Sequence, residues 1–142
     1  MSTVSRITGV VSFVALLLGC QHGLPSAPSE LTTGIVIYRH ANYLGESAHV
    51  TSDVKDLEDF VGPCERTSYD GNGGSTTTRE WNDCISSLRV APGWRATVYE
   101  HDDFRGESLE MSSDVANFQL VKGSCDHGGL NDCISSIRLH RP

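Results

Sequence analysis

Asn82-Asp83-Cys84-Ile85-Ser86-Ser87 recurs without change as Asn131-Asp132-Cys133-Ile134-Ser135-Ser136, at an offset of 49 residues. The flanks agree as well: Leu88-Arg89-Val90 follows the first copy and Ile137-Arg138-Leu139 the second. Each copy brings an amide, a carboxylate and two hydroxyls to the entrance of an alternating apolar/polar segment. Hard oxygen donors of this kind suit Ca2+ better than a soft metal. One copy alone would read as a turn with ordinary Asn/Asp/Ser chemistry. Two identical copies inside a larger repeat argue for a built site.

The larger repeat runs at a second offset. Tyr38-Arg39-His40-Ala41-Asn42-Tyr43-Leu44-Gly45-Glu46-Ser47 aligns with Tyr99-Glu100-His101-Asp102-Asp103-Phe104-Arg105-Gly106-Glu107-Ser108, 61 residues on. Ser52-Asp53-Val54 against Ser113-Asp114-Val115, and Cys64 against Cys125, keep the same offset. The two offsets differ by 12 residues, so the first unit carries an insertion between Cys64 and Trp81. Self-similarity at such a period marks a repeated supersecondary unit. Ile35-Val36-Ile37-Tyr38 and Ala96-Thr97-Val98-Tyr99 read as short strands, and Gly, Asn, Asp and Ser punctuate the rest. No window after the N-terminus holds a helical period. A unit of this size cannot bury a core alone. Two units packed sheet on sheet can, which predicts an all-β sandwich of two antiparallel Greek-key motifs.

The spacing aromatic-x4-aromatic-x-Gly (Tyr38, Tyr43, Gly45; Tyr99, Phe104, Gly106), followed by Asn-Asp-x-x-Ser-Ser, resembles the βγ-crystallin superfamily, and within it the microbial calcium-binding members. The likeness covers residues 35 to 139. It implies one domain over 34–142, with motif one at 35–90 and motif two at 96–139. It also implies two Ca2+ ions, each shared between the motifs. The first would use the Arg39 and Cys84 carbonyls, the Ser86 hydroxyl and the Asp132 carboxylate. The second would use the Glu100 and Cys133 carbonyls, the Ser135 hydroxyl and the Asp83 carboxylate. Asn82 and Asn131 would tie down the loop, and Ser87 and Ser136 would hydrogen-bond locally. Arg39, where the second unit has Glu100, would set a positive charge near the first ion. One carboxylate among neutral oxygens implies a Kd of roughly 10⁻⁴–10⁻³ M, useful outside the cytoplasm.

The N-terminal stretch fits export. Arg6 precedes an apolar run over Val10 to Leu18 that is too short for a membrane span of roughly 20 residues. Leu17-Leu18-Gly19-Cys20 resembles a bacterial lipobox, which implies a signal peptide over 1–19 and a lipid on Cys20. Residues 20–33, with Pro25 and Pro28, read as a tether. Gln21 after the lipid cysteine implies the outer membrane if the cell is Gram-negative. With Cys20 lipidated, four of the five cysteines remain, two per unit, an even number suited to an oxidising compartment. Pairing within units, Cys64–Cys84 and Cys125–Cys133, is the simplest arrangement. Cross-pairing and a four-thiolate zinc site are the alternatives, and no Cys-x2-Cys spacing supports zinc. Tyr69-Asp70-Gly71-Asn72-Gly73-Gly74-Ser75 in the insertion lacks the spacing and closing Glu of an EF-hand and reads as a hairpin tip. His40 and His101, at equivalent positions, read as packing or surface residues.

The chain carries 11 Lys and Arg against 18 Asp and Glu, a formal net charge of −7. That balance disfavours nucleic acid and suits cations. No nucleophile elbow, zincin helix, P-loop or dinucleotide fingerprint occurs, so nothing points to an enzyme. The reading is a calcium-binding, non-enzymatic exported protein, anchored to the cell envelope through Cys20 or otherwise secreted. The alternative is a secreted peptidase inhibitor of the same fold, with the Cys64–Cys84 loop as its reactive segment. A carbohydrate-binding module is the third reading. The sequence names no protein or glycan partner.

Overall fold

A computed structural model of the chain describes residues 30–123, 125 and 129–142. The expected signal peptide, Cys20 with its expected lipid and most of the expected tether lie outside the described residues. Eight strands run in the order β1 (Ile35–His40), β2 (Leu44–Val50), β3 (Val61–Tyr69), β4 (Ser75–Glu80), β5 (Ser87–Val90), β6 (Arg95–His101), β7 (Arg105–Met111) and β8 (Ser136–His140). Helix among the described residues is confined to three 3-10 turns. Both β1 and β6 alternate: Ile35 and Ile37, like Ala96 and Val98, face inward and are fully buried, while their neighbours are half-exposed. This period of two makes each strand one side of a core.

Two three-stranded antiparallel sheets result, β2-β1-β5 and β7-β6-β8. Their inner faces share one core, in which Leu57, Ile85, Leu88, Phe118, Ile134 and Ile137 are sealed from solvent. The all-β Greek-key sandwich is therefore the observed architecture. The connection between motifs is tighter than stacking. Val54 exchanges two backbone hydrogen bonds of 2.9 Å with Ile137, and Val115 exchanges two of 2.9 Å with Leu88. Each motif thus adds the short segment after its second strand to the other motif's sheet. The repeated Ser-Asp-Val locks this exchange: Asp53 Oδ1 accepts from the Leu139 amide and Asp114 Oδ1 from the Val90 amide, both at 2.8 Å.

The paired aromatics form the folded hairpin between the first two strands of each motif. Tyr38 and Tyr43 lie 5.7 Å apart edge to face, and Tyr99 and Phe104 5.6 Å apart at a tilt. Arg89 covers Tyr43 and Arg138 covers Phe104, with the guanidinium carbons 4.3 and 4.1 Å from the ring centres. Tyr43 and Phe104 sit at φ of 62° and 60°, a region costly for bulky residues. Ser87 and Ser136 hold them there. Each hydroxyl donates to the carbonyl of His40 or His101 at 2.6 Å and accepts from the amide of Tyr43 or Phe104 at 3.0 or 3.1 Å. The two serines were expected to bond locally. They instead reach strands more than 30 residues away, because β5 and β8 pair directly with β1 and β6. Gly45 and Gly106 complete the fold at φ of 79° and 78°. A Cβ at either would strike the ring of His40 or His101, which gives the histidine pair a packing role.

The insertion is a separate two-stranded sheet, β3-β4. Asp70 closes its tip by accepting from the amides of Asn72 and Gly74 at 2.8 and 2.9 Å. Its carboxylate is thereby spent on a turn, as the hairpin-tip reading expected. Disulfides join Cys64 to Cys84 and Cys125 to Cys133, with Cα separations of 6.1 and 6.3 Å. Pairing is within motifs, and the four-thiolate alternative falls.

Candidate metal centre

The two Asn-Asp-Cys-Ile-Ser-Ser loops sit at the entrances of β5 and β8, and each is pinned to its own motif and to its partner. Within a motif, the Ser86 amide donates to the Tyr38 carbonyl at 3.0 Å and the Ser135 amide to the Tyr99 carbonyl at 2.9 Å. These bonds set each serine beside the peptide that ends in Arg39 or Glu100. Between motifs, the Asp83 amide donates to the Ile134 carbonyl at 3.3 Å and the Asp132 amide to the Ile85 carbonyl at 3.4 Å. The Leu57 amide meets the Ser135 carbonyl and the Phe118 amide the Ser86 carbonyl, both at 2.9 Å. The loops therefore lie across one another.

Asp83 and Asp132 both adopt left-handed backbone, with φ of 49° and 52°. Aspartate tolerates this region better than most residues. Ser86 Oγ donates to Asp132 Oδ1 over a long 3.4 Å, so a hydroxyl of motif one and a carboxylate of motif two converge. Asp83, Glu100, Cys133 and Ser135, the four residues of the expected second set, line one cleft of about 440 Å³. Asn131 and Asp132 line the same cleft, so it brings the aspartates of both loops together. Cys84 is buried beneath the first loop. Arg39, expected to bring charge to the first set, pairs with Glu46 at 3.5 Å.

Burial pushes the Asp83 carboxyl above the usual carboxylate range; Arg66 pulls it back while Glu58, Glu80 and Asp132 push further. Burial raises Asp132 too, opposed by hydrogen bonds from Ser86 and Asn131 and by the charge of His40. A carboxylate that resists ionisation for want of water is relieved by a cation. Asn82 and Asn131 act on these carboxylates: each Nδ2 donates to the following aspartate's Oδ2. Asn82 Oδ1 is buried with no hydrogen-bond partner among the described residues, and Asn82 lines the same cleft. An uncompensated buried acceptor beside a carboxylate and a hydroxyl fits a hard cation. The donor set is oxygen throughout, which fits Ca2+. Glu100, Cys125 and Cys133 bring one ligand atom each within 4.8 Å of one another, but the two sulfurs are bonded together and offer no thiolate to a soft metal.

Sequence reasoning missed Glu58 and Arg66, which also line the cleft. Neither belongs to a repeated position, and the insertion that carries Arg66 gave no cue to where it would fold. The roles of Asp53 and Asp114 were signalled only by the Ser-Asp-Val repeat.

Residues 35–109 match the family model described as peptidase inhibitor family I36. Spherulin-3A of Physarum polycephalum is 30% identical over 105 residues, covering 72% of this chain and 78% of that protein. The development-specific protein S homolog of Myxococcus xanthus is 40% identical over 58 residues, 41% of this chain but only 28% of that longer protein. Among solved structures, a βγ-crystallin domain from Flavobacterium johnsoniae is similar at a TM-score of 0.51 and 29% identity, covering 75% of this chain and 93% of that one.

Proposed function

The chain belongs to the βγ-crystallin superfamily and to peptidase inhibitor family I36, and from that premise we propose that it binds two Ca2+ ions outside the cytoplasm. The observation that carries this reading is the convergence of oxygen donors from both loops: Ser86 on Asp132, and Asp83, Asp132, Glu100 and Ser135 around one cleft. The first ion would be held by the Arg39 and Cys84 carbonyls, Ser86 and Asp132. The second would be held by the Glu100 and Cys133 carbonyls, Ser135 and Asp83. Calcium supplies charge and coordination only. The ions would bridge the two loops and so rigidify the motif interface, without an enzymatic role. Calorimetric titration of the full chain with CaCl2 tests the reading: two ions are expected. No heat and no change in melting temperature at about 10 mM Ca2+, above the usual range for extracellular modules, would refute it.

Attachment to the cell envelope through Cys20 belongs to the same reading and rests on Leu17-Leu18-Gly19-Cys20 alone. Cys20→Ala should release the protein from the membrane fraction; unchanged fractionation and processed mass count against the anchor.

A second reading, peptidase inhibition, is favoured by the family match and by the hairpin β3-β4. That hairpin forms its own two-stranded sheet, leaves Tyr69 exposed and is tied to the first loop by Cys64–Cys84. An extended, braced segment is pre-organised for a protease cleft. A panel of metallo- and serine peptidases decides it, with inhibition by the full chain expected and lost on shortening 68–76.

A further inference from the structure

The hairpin β3-β4 brings Arg66 into the cleft where the two loops meet, lined by Asp83 and Asp132 together with Glu100, Cys133 and Ser135. Arg66 also lines, with Cys64, Glu80, Asn82 and Asp83, an adjoining hollow that Asp132 does not reach. The Arg66 guanidinium pairs there with Glu58 and, at 3.5 Å, with Glu80. The Glu80 side chain is only 5% exposed, so Arg66 is its countercharge and is held in place by it. Glu58 lines the cleft as well. One guanidinium thus shares two carboxylates at the rim of a site whose one charged ligand is Asp83.

We propose that Arg66 sets the affinity of the second calcium site: the ion enters against a resident positive charge, and this site is the weaker of the two. The inference rests on the calcium reading above and adds to it a regulating residue outside the repeated motif. The physical reason is Coulombic. Like charges a few ångströms apart at a protein surface repel appreciably, and a divalent ion doubles the effect. Asp132 in the first set is met instead by Ser86, Asn131 and His40. Removing Arg66 leaves the cleft one unit more negative. Removing Glu58 leaves the guanidinium less neutralised. The two changes must therefore move the affinity in opposite directions, which a purely structural role would not produce.

The test uses the full chain carrying Ser86→Ala, in which only the second site remains. Calorimetric titration with CaCl2 should show one ion. Adding Arg66→Gln should tighten it roughly tenfold at low ionic strength and less in 0.5 M KCl, where screening shortens the interaction to about 4–5 Å. Adding Glu58→Gln should weaken it by a similar factor. Arg66→Lys, which keeps the charge, should leave it near the starting value. In the Ser135→Ala background, where only the first site remains, each of the three should move the affinity less than in the Ser86→Ala background, because Asp132 shares the cleft but not the hollow where Arg66 meets Asp83. An unchanged constant in Arg66→Gln, or a loss in both Arg66→Gln and Glu58→Gln, overturns the role of Arg66 while leaving calcium binding intact. Binding seen only after Arg66→Gln upholds it in its strongest form. No binding in any chain, the unmutated one included, removes both the inference and the calcium reading. Should Arg66→Gln not fold, Arg66→Met decides in its place: a roughly tenfold tightening supports the proposal, and no change overturns it.

Discussion

The two Asn-Asp-Cys-Ile-Ser-Ser loops are built alike and set in unlike surroundings. Their left-handed aspartates, the serines that clasp the folded hairpins, the capping arginines and the exchanged Ser-Asp-Val segments correspond one to one. Around this common frame, the first motif adds a hairpin and closes a disulfide over 20 residues, whereas the second closes one over 8. The added hairpin reaches the cleft where Asp83 and Asp132 meet Glu100 and Ser135. On the proposed reading, an insertion in one motif would tune an ion whose ligands come from both.

The comparison can be broken most severely at the aspartates. In the crossed arrangement Asp132→Ala with Ser86→Ala removes one ion and leaves one, whereas Asp132→Ala with Ser135→Ala removes both. If calorimetry gives the reverse, each loop serves its own ion and the crossing concerns backbone alone. A carboxylate is the sole charged ligand expected in each set, so Asp→Ala should cost more affinity than Ser→Ala.

The next effect sharpens the difference in disulfides. Replacing both Cys64 and Cys84 by Ser should lower stability by about 3 kcal/mol, and replacing Cys125 and Cys133 by about 2–3 kcal/mol, on the loop-entropy model. Chemical denaturation with calcium held constant measures both. A larger loss for the shorter loop would show that native packing, not chain entropy, governs these bonds.

Smaller, and a test of sameness rather than difference, are Ser87→Ala and Ser136→Ala. Each strips two hydrogen bonds from a fully buried hydroxyl, at a cost of about 1–3 kcal/mol. Equal losses in urea melts are expected from the matched geometry. Unequal ones would show that β5 and β8 clasp their hairpins with different force.

The smallest effect concerns pH without calcium. Burial raises the folded-state pKa of Asp83 and Asp132 above the ordinary carboxylate value. The folded chain then binds protons more readily than the unfolded one, so these groups cost stability once ionised. In EDTA their contribution should worsen as pH rises from the usual carboxylate range through the raised values. Asp83→Asn and Asp132→Asn should flatten that trend. A steeper loss in the variants would contradict the sign.

Much of this architecture was legible in the chain because it is written twice. The alternation of Ile35 and Ile37, and of Ala96 and Val98, is a local pattern with a local cause, the pleat of a strand. The aromatic-x4-aromatic-x-Gly spacing marks a hairpin whose rings and glycine lie within ten residues of one another. The cysteines divide evenly, which made pairing within motifs the simplest arrangement, and the structure chose it over cross-pairing. What only the tertiary structure decided are relations between distant segments. Ser87 clasps Tyr43 rather than its neighbours because β5 lies against β1. Asp53 caps β8 because the motifs exchange strands. Arg66 faces Asp83 because a disulfide-braced hairpin folds back over the motif interface. Spacing constrains groups a few residues apart. The charge that reaches a binding cleft is decided by packing, which brings together residues that share no period in the sequence.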